Sequence, residues 1–258
     1  MSMHTDIVDL RAFYRSKLGQ SALRSISMSV SALWPALPDE RLVGLGYCRP
    51  FLDRFAPDAE RAFAFMPAQQ GAVAWPHADA VSTALVFDEE LPLADSSVDR
   101  VLCIHAFEHA ESPSNFLAEA WRVLSPNGRL VIVVPNRRGI WARFDHTPFG
   151  GGRPYTRGQM NKALREAGFT VERWNEALFF PPFERYLRLG ISSFSERTGR
   201  RLWPAFSGVL VVEANKKLYQ GLPATNRASR RVFVPALQPQ GVGVRDGVGA
   251  RARPEFEG

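Results

Sequence analysis

Hydrophobic residues recur along the chain with two different spacings, and segments of the two kinds alternate. Seven short apolar runs predict β-strands, at residues 41–46, 61–65, 82–87, 99–106, 129–135, 169–174 and 207–214. Apolar residues three or four positions apart predict α-helices, at residues 5–18, 21–34, 112–124 and 156–167. Strands alternating with helices are typical of an α/β fold, so we expect a mostly parallel, doubly wound sheet covered on both faces.

The chain of 258 residues divides into one predicted domain and a tail. Residues 1–220 form the predicted domain, which begins with helices within residues 1–38. Residues 221–258 combine many glycines, prolines and arginines with little periodicity, which predicts a flexible basic tail. Within that tail, residues 230–237 are apolar enough to pack as an extra strand.

The formal net charge of +6 is concentrated in two segments. Residues 137–165 carry +6 and residues 221–258 carry +3, so the rest of the chain is slightly acidic. There are 28 arginines and four lysines, a skew that fits a coding bias at least as well as nucleic-acid binding. The charge is therefore a weak indication of a nucleic-acid partner.

Several classes of protein are disfavoured by composition. Two cysteines, Cys48 and Cys103, rule out a disulfide framework and a four-cysteine zinc site. The N-terminus lacks the apolar core of a secretory signal. The longest apolar run, at 130–135, is far shorter than the roughly 20 residues of a transmembrane helix. We therefore expect a cytoplasmic protein without a membrane span.

The first predicted strand ends in glycines, in the sequence VGLGYC at residues 43–48. In an open parallel sheet, ligands bind beyond the carboxyl ends of the strands. Glycine there lets the backbone approach a ligand, but it serves a tight structural turn equally well. The glycines alone leave both interpretations open.

Residues 88–135 carry a more specific signal. They include LPLADSSVDRVL at 91–102, HAFEH at 105–109 and RVLSPNGRLVI at 122–132. This pattern resembles the class I S-adenosylmethionine (SAM)-dependent methyltransferases, specifically the ubiquinone/menaquinone methyltransferases and their small-molecule relatives. The resemblance extends over about residues 40–215 and implies the seven-stranded, Rossmann-like methyltransferase sheet with its last strand antiparallel. Within the motif, Asp95, Asp99 and the SPNG sequence are interpreted as turn residues.

The resemblance implies SAM as the cofactor and assigns positions to it. The family's first glycine-rich loop corresponds to Gly44 and Gly46, its acidic position near the adenine to Asp88, and the pocket floor to His105. The candidate cofactor-binding residues are Gly44, Gly46, Tyr47, Met66, Asp88 and His105.

Two acidic positions of that family are missing. Gly44 stands at one of them, and the second strand is followed by Gln69 and Gln70 where the family has a carboxylate for the ribose hydroxyls. An amide accepts a hydrogen bond less strongly than a carboxylate does. The site therefore binds SAM through backbone and apolar contacts, with Met66 and Phe87 against the adenine, or binds another ligand, or has lost binding.

The segment 136–157 borders the substrate in this family. Its arginines, aromatic residues and three consecutive glycines predict either a solvated loop or a mobile basic flap over an acidic or phosphorylated acceptor. A small or amphiphilic molecule suits the mixture. The candidate acceptor-binding residues are Arg138, Arg143, His146 and Tyr155.

The methyl group of SAM is already activated, so the protein mainly aligns the acceptor with it and excludes water. A general base is needed only for an acceptor atom that holds its proton strongly, and His109 and His146 are the candidates. Glu108 and His109 are better explained by helix capping, or by support of the residues around the ligand, than by proton transfer. His105 and His109 have helical spacing but no third ligand nearby, so no metal site is predicted.

Three functions are consistent with these observations. The first is a SAM-dependent methyltransferase with a small-molecule acceptor. The second, suggested by the missing acids, is a non-catalytic methyltransferase-like binding or scaffold domain. The third, suggested by the basic segments, is an RNA methyltransferase, although the chain lacks an appended RNA-binding module. The sequence leaves the acceptor and the oligomeric state open.

Overall fold

The computed structural model describes residues 5–34, 36, 38–77, 79–183 and 207–217. Its α-helices are α1 (Ile7–Arg15), α2 (Lys17–Leu33), α3 (Arg49–Leu52), α4 (Pro113–Val123) and α5 (Arg157–Glu166). Its strands are β1 (Arg41–Gly46), β2 (Arg61–Pro67), β3 (Pro76–His77), β4 (Ala80–Val81), β5 (Thr83–Val86), β6 (Val98–Ile104), β7 (Leu124–Pro135), β8 (Thr170–Ala177) and β9 (Val209–Asn215).

Seven of these strands form one sheet in the order β5-β2-β1-β6-β7-β9-β8. Strands β5, β2, β1, β6 and β7 are parallel to one another, and β9 runs antiparallel between β7 and β8. The predicted α/β fold, its seven sheet strands and its antiparallel last strand are confirmed. Strands β1, β2 and β6 lie side by side in the middle, so their carboxyl ends meet at one edge.

The two faces of the sheet bury separate apolar cores. Helices α1 and α2 contribute to one core, which also contains Trp34, Phe51 and Trp141. Helices α4 and α5 contribute to the other, which contains Phe107 and Phe116. The sheet is therefore covered on both faces, as predicted.

The boundary between the first two helices was predicted wrongly. Ser16 ends α1 with extended backbone angles and caps α2, because its hydroxyl accepts a hydrogen bond from the Gly19 amide at 3.0 Å. The chain therefore turns at one residue rather than across residues 19–20. The sequence also did not predict the four-residue helix α3 or the small β3–β4 hairpin, since neither has a periodic pattern.

The SPNG sequence at 125–128 lies within β7 rather than in a turn, with Asn127 in the left-handed region at φ 64°. Residues 221–258, the predicted tail, lie outside the described residues. The boundary at residue 220 stays a prediction.

Asp99 was predicted as a turn residue, but it lies in β6 and binds Arg41 of β1. Its carboxylate accepts hydrogen bonds from the Arg41 guanidinium at 2.9 and 3.0 Å and from the Ser125 hydroxyl at 2.8 Å. Burial opposes ionisation, but the bonds from Arg41 prevail and lower the pKa of Asp99 to about 2.

The lowered pKa of Asp99 makes stability depend on pH. A depressed carboxyl pKa contributes stability above the unfolded pKa, and that contribution is lost as the pH falls through the folded value. We expect about 2 kcal/mol of the free energy of unfolding to disappear between roughly pH 5 and pH 2 on this account. Urea titrations at several pH values will show this loss in the wild type, whereas Asp99→Asn will lack that component. An unchanged pH dependence in Asp99→Asn contradicts the assignment.

Candidate active site

Helix α1 lies across the carboxyl ends of β1, β2 and β6. At its first residue, the Ile7 amide donates to the carbonyl of Gln70, just beyond β2, at 2.9 Å. At its other end, Tyr14 contacts Tyr47 beyond β1 and His105 beyond β6. The helix therefore covers the edge at which an open parallel sheet binds its ligands.

Tyr14 fills the space above the first strand. Its ring stacks on Tyr47 with centroids 5.5 Å apart and meets Phe51 edge-on at 5.8 Å. Its hydroxyl lies 2.8 Å from Nε2 of His105. The side chain is buried, and burial raises the pKa of Tyr14 well above its ordinary value, so the hydroxyl keeps its proton.

His105 joins Tyr14 to a buried carboxylate. Its Nδ1 lies 3.3 Å from Oε1 of Glu108, and both side chains are almost completely buried. Because Nδ1 faces a carboxylate, a proton there leaves Nε2 to accept the bond from the Tyr14 hydroxyl. His105 also has a positive φ of 57°, an uncommon backbone conformation for a residue other than glycine.

Glu108 is ionised despite its burial. Burial by itself raises the pKa of Glu108, but the hydrogen bond and charge of His105, with a further contribution from His109, lower it below its ordinary value. A buried charge paired with one imidazole is costly for a fold to maintain. Such an arrangement at a strand end is typical of functional sites.

Two buried acceptors at this edge are unsatisfied. Among the described residues, Oε1 of Gln70 and Oε2 of Glu108 have no hydrogen-bond partner. Gln70 is 2% exposed and is held in place because its amide nitrogen donates to the His105 carbonyl at 2.8 Å. Gln69, in contrast, is exposed and pairs with Glu111. Of the two glutamines that replace the family's carboxylate, Gln70 is therefore the one placed to accept from a ligand.

The two glycines of β1 are required by packing within the fold. A Cβ at Gly44 would lie 2.7 Å from the Cys48 side chain. A Cβ at Gly46, which has φ 86°, would lie 2.3 Å from the carbonyl oxygen of Ile104. Both approaches are closer than side chains tolerate, so these glycines serve the internal packing whether or not a ligand binds.

The candidate cofactor residues are thus mostly assembled in one place. Gly44, Gly46, Tyr47, Met66 and His105 are all buried at the ends of β1, β2 and β6. Asp88 lies apart from them, partly buried beyond the edge strand β5. Phe87, which was expected to pack against the adenine, is 69% exposed.

A cavity of about 860 Å³ opens on the other side of α1. Its volume is within the range of small-molecule sites. The described residues that line it are Thr5, Asp9, Ala12, Phe13, Ser16, Leu18, Asp145, His146, Thr147, Pro148, Gly151, Pro182 and Phe183. Of the four candidate acceptor residues, only His146 belongs to this lining.

The other three candidates lie elsewhere. Arg138 and Arg143 are exposed, and neither is among the residues that line the cavity. Tyr155 is buried in the core on the opposite face of the sheet, where its ring lies 5.2 Å from that of Phe107. The aromatic side chain of Tyr155 thus contributes to packing in this structure.

Two of the three consecutive glycines pack closely against neighbouring parts of the chain. A Cβ at Gly150 would lie 2.4 Å from the carbonyl oxygen of Phe144, and one at Gly152 would lie 2.6 Å from Cγ of Glu108. The Arg153 amide also donates to the Glu108 carbonyl at 2.8 Å. Gly152 therefore packs beside the buried Glu108 carboxylate. The prediction of a mobile flap did not include this packing.

The two predicted general bases are in different environments. His109 is 1% exposed within a short 3₁₀ helix at Phe107–His109. His146 is exposed, and its Nε2 lies 3.0 Å from the Pro182 carbonyl. His146 is therefore accessible from the cavity, whereas His109 is enclosed by the fold.

Three rings separate the cavity from the strand ends. Phe13 lines the cavity and meets Tyr14 edge-on at 5.1 Å and Phe149 at 6.1 Å. Phe149 in turn lies 4.9 Å from the His105 ring. We call Phe13, Tyr14 and Phe149 the aromatic layer. The cavity and His105 are therefore neighbours on opposite sides of one layer of side chains.

The sequence pattern of a methyltransferase domain matches residues 43–132, which include β1, β6 and most of β7. The chain carries a class I SAM-dependent methyltransferase domain. Its sheet order and antiparallel last strand agree with that identification. The more specific resemblance to the ubiquinone/menaquinone methyltransferases stays a prediction.

Curated relatives support the same domain. The chain is 38% identical over 88 residues to a probable SAM-dependent methyltransferase of Mycolicibacterium smegmatis, covering 32% of this chain and 33% of the relative. It is 28% identical over 153 residues to a malonyl-[acyl-carrier protein] O-methyltransferase of Alcanivorax borkumensis, covering 53% and 51%. These matches span at most about half the length of either relative.

Solved structures share the fold of the methyltransferase domain. A SAM-dependent methyltransferase from Aquifex aeolicus superposes with a TM-score of 0.57 at 15% identity, covering 82% of this chain and 98% of that one. At this identity the likeness concerns the fold only.

The strand ends of the methyltransferase domain offer hydrogen-bond acceptors that fit SAM, but a side chain occupies space beside them. The unsatisfied acceptors of Gln70 and Glu108 suit the hydroxyl and ammonium groups of such a cofactor. The ring of Tyr14 occupies the region over Tyr47 and next to His105. Binding there therefore requires Tyr14 to move.

Two features are absent from the described residues. No group of three or more histidine, cysteine, aspartate or glutamate side chains is arranged to hold a metal ion in that part of the chain. Within the same residues, no helix has the length and apolar character needed to span a membrane.

The sequence did not mark Tyr14 as part of this site. Tyr14 belongs to a helix whose apolar stripe predicted only core packing, so nothing marked its hydroxyl as a partner of His105. Glu108 was interpreted as a capping residue or as a support for the residues around the ligand, and in the structure it is the buried partner of His105. A carboxylate three residues after a histidine at a strand end was the available signal.

Proposed function

We propose that this chain transfers a methyl group from SAM to a small amphiphilic acceptor. The observation that supports this most strongly is the position of an 860 Å³ cavity, which one aromatic layer separates from the strand ends of a methyltransferase domain. SAM supplies a methyl group already activated on a sulfonium. The chain's own task is then to align an acceptor atom with that group and to exclude water.

The described residues have distinct roles in this proposal. Gln70 and Glu108 hold the cofactor through their free acceptors, and Tyr47 and Met66 provide apolar contact. The acceptor lies in the cavity, with His146 available to take its proton where one is released.

The lining of the cavity favours a neutral or basic polar group on the acceptor. Asp9 and Asp145 are its described charged residues, alongside the titratable His146, and Phe13 and Phe183 supply aromatic surface. This differs from the acidic acceptor expected from the arginines of the sequence. A carboxylate-lined cavity with aromatic walls suits an amphiphile with an amine or hydroxyl group.

Isothermal calorimetry with S-adenosylhomocysteine tests the proposal without knowledge of the acceptor. We expect one molecule bound per chain. A methyl-transfer screen of metabolite extracts with labelled SAM then identifies the acceptor. Absence of binding at millimolar concentrations contradicts the enzymatic function.

The alternative of a non-catalytic methyltransferase-like domain has one observation in its favour, the burial of His105 and Tyr47 beneath Tyr14. Under that alternative the buried residues only stabilise the fold. The calorimetric experiment separates the two functions, since only the enzyme requires cofactor binding.

Substitution of His146 is expected to affect the acceptor but not the cofactor. Because His146 lines the cavity, His146→Ala should lower kcat/KM for the acceptor about tenfold or more and leave the affinity for S-adenosylhomocysteine unchanged. Arg138→Ala is the matched control, since Arg138 is exposed and outside the lining. Equal kinetics for both variants would place the acceptor elsewhere.

A further inference from the structure

We propose that Tyr14 is a latch that closes the cofactor site, and that its side chain must leave His105 before SAM binds. The inference rests on the proposed function and concerns the state of the chain before the cofactor arrives. It follows from three features of the strand ends: the bond between Tyr14 and His105, the unsatisfied acceptors beside it, and the attachment of α1.

The first feature is that Tyr14 satisfies His105 from within the chain. Its hydroxyl lies 2.8 Å from Nε2 of His105, and Nδ1 of the same ring faces Glu108 at 3.3 Å. The Tyr14 hydroxyl, the His105 ring and the Glu108 carboxylate thus form a buried row of polar groups from α1 to the end of β6. A positive φ at His105 and a buried carboxylate beside it both cost free energy of folding. Elsewhere along α1 and α2, apolar side chains hold the helices in place without that cost.

The second feature is that this closed arrangement is incomplete. Oε1 of Gln70 and Oε2 of Glu108 are buried and have no hydrogen-bond partner among the described residues. An unsatisfied buried acceptor is costly, so the closed arrangement stores a penalty that a ligand with donor groups can relieve. Both acceptors flank His105, the residue that Tyr14 binds.

The third feature is the attachment of α1, whose Tyr14 carbonyl accepts a hydrogen bond from the Gln20 side chain of α2 at 2.6 Å, so the Tyr14 side chain rather than the helix is the part that moves. Ser16 breaks the helix between Arg15 and Lys17, so the two helices meet at a single extended residue. Beyond Tyr14, α1 is held to the sheet edge by the Ile7 amide on the Gln70 carbonyl. Gln70 therefore contacts the first residue of α1 through its carbonyl and the backbone of His105, the partner of Tyr14, through its side chain.

Tyr14 also belongs to the aromatic layer beside the cavity. Phe13 faces the cavity and contacts both Tyr14 and Phe149, and each of these two rings lies against His105. When Tyr14 leaves, the layer between the proposed acceptor and cofactor positions loses its hydrogen-bonded member. Release of Tyr14 therefore leaves only Phe13 and Phe149 between His105 and the cavity.

Tyr14→Phe tests the latch, because it removes the hydroxyl and keeps the ring. In the closed arrangement the variant leaves Nε2 of His105 without its partner, so the open state becomes more populated. We expect S-adenosylhomocysteine to bind about tenfold more tightly, with faster association, as follows when the competent fraction increases. Stopped-flow fluorescence and calorimetry on the full-length chain measure both quantities.

Ser29→Ala is the matched control. The Ser29 hydroxyl is buried and donates to the Glu176 carbonyl at 3.0 Å, so this variant loosens the N-terminal helices without touching the strand ends. We expect its affinity for S-adenosylhomocysteine to equal that of the wild type. A gain in affinity by Ser29→Ala equal to that of Tyr14→Phe would show general loosening and overturn the latch.

The remaining outcomes separate the latch from the proposed function. Binding by Tyr14→Phe alone, or tighter binding by that variant, supports the latch. Equal or weaker binding by Tyr14→Phe, with a wild type that binds, overturns the latch and leaves the methyltransferase function intact. If neither protein binds at millimolar concentrations, Tyr14 is not what closes the site, and both proposals fail.

Discussion

Gly46→Ala is expected to lower the free energy of unfolding by roughly 2–5 kcal/mol, because two penalties act at one position. Gly46 has φ 86°, which residues with a Cβ rarely adopt, and the added carbon would lie 2.3 Å from the Ile104 carbonyl oxygen. Ile104 ends the neighbouring strand β6, so neither backbone can yield without disturbing the central pair. Chemical denaturation followed by circular dichroism measures the change.

Gly158→Ala is the matched control for Gly46→Ala. Gly158 lies in the first turn of α5, where a new Cβ would approach nothing closer than 4.0 Å. Alanine is also the better helix former, so we expect a stability equal to the wild type or slightly higher. Equal effects of the two substitutions would mean that β1 and β6 do not approach each other as described.

Glu108→Gln is expected to destabilise the chain by roughly 1.5–3 kcal/mol, because an amide replaces the buried carboxylate that accepts from Nδ1 of His105. Glu108 faces Nδ1 of His105 at 3.3 Å and is almost completely buried. Its pKa is lowered, so the stability it contributes is present above its ordinary pKa and is lost as the pH falls through the folded value. Denaturation curves at neutral and acidic pH will show that the variant lacks this component.

Glu166→Gln controls for the loss of one negative charge. Glu166 is exposed and lies 3.7 Å from Lys162 on the surface of α5. Exposed pairs of this kind contribute little, so we expect a change of less than about 1 kcal/mol. A similarly small effect of Glu108→Gln would contradict the assignment of Glu108 as a buried, ionised partner of His105.

The strands of the sheet were predictable because each is an apolar run that ends in recognisable turn residues. Gly46 and the apolar residues 99–106 marked the two central strands correctly. The exact end of α1 was not predictable, since Ser16 both ends one helix and caps the next, and its neighbours continue a helical spacing. Asp99 was interpreted as a turn residue because its sequence neighbours do not reveal its partner. The arginine that binds it, Arg41, lies 58 positions away in the sequence.

The candidate site was predictable only where one segment contains it. His105 follows a strand within a recognisable motif, so its place at the carboxyl edge was expected. Its link to Tyr14 joins residues 91 positions apart, and no local pattern carries that information. Likewise, Tyr155 and His146 share one basic segment, but the fold sends the first to the core and the second to the cavity.

Hydrogen–deuterium exchange with and without S-adenosylhomocysteine shows whether the cofactor binds at the carboxyl ends of β1, β2 and β6. We expect slower amide exchange on binding in peptides covering residues 44–48, 66–71 and 104–109, and no change in α5. Binding without protection of these three segments, or protection confined to other parts of the chain, would contradict it.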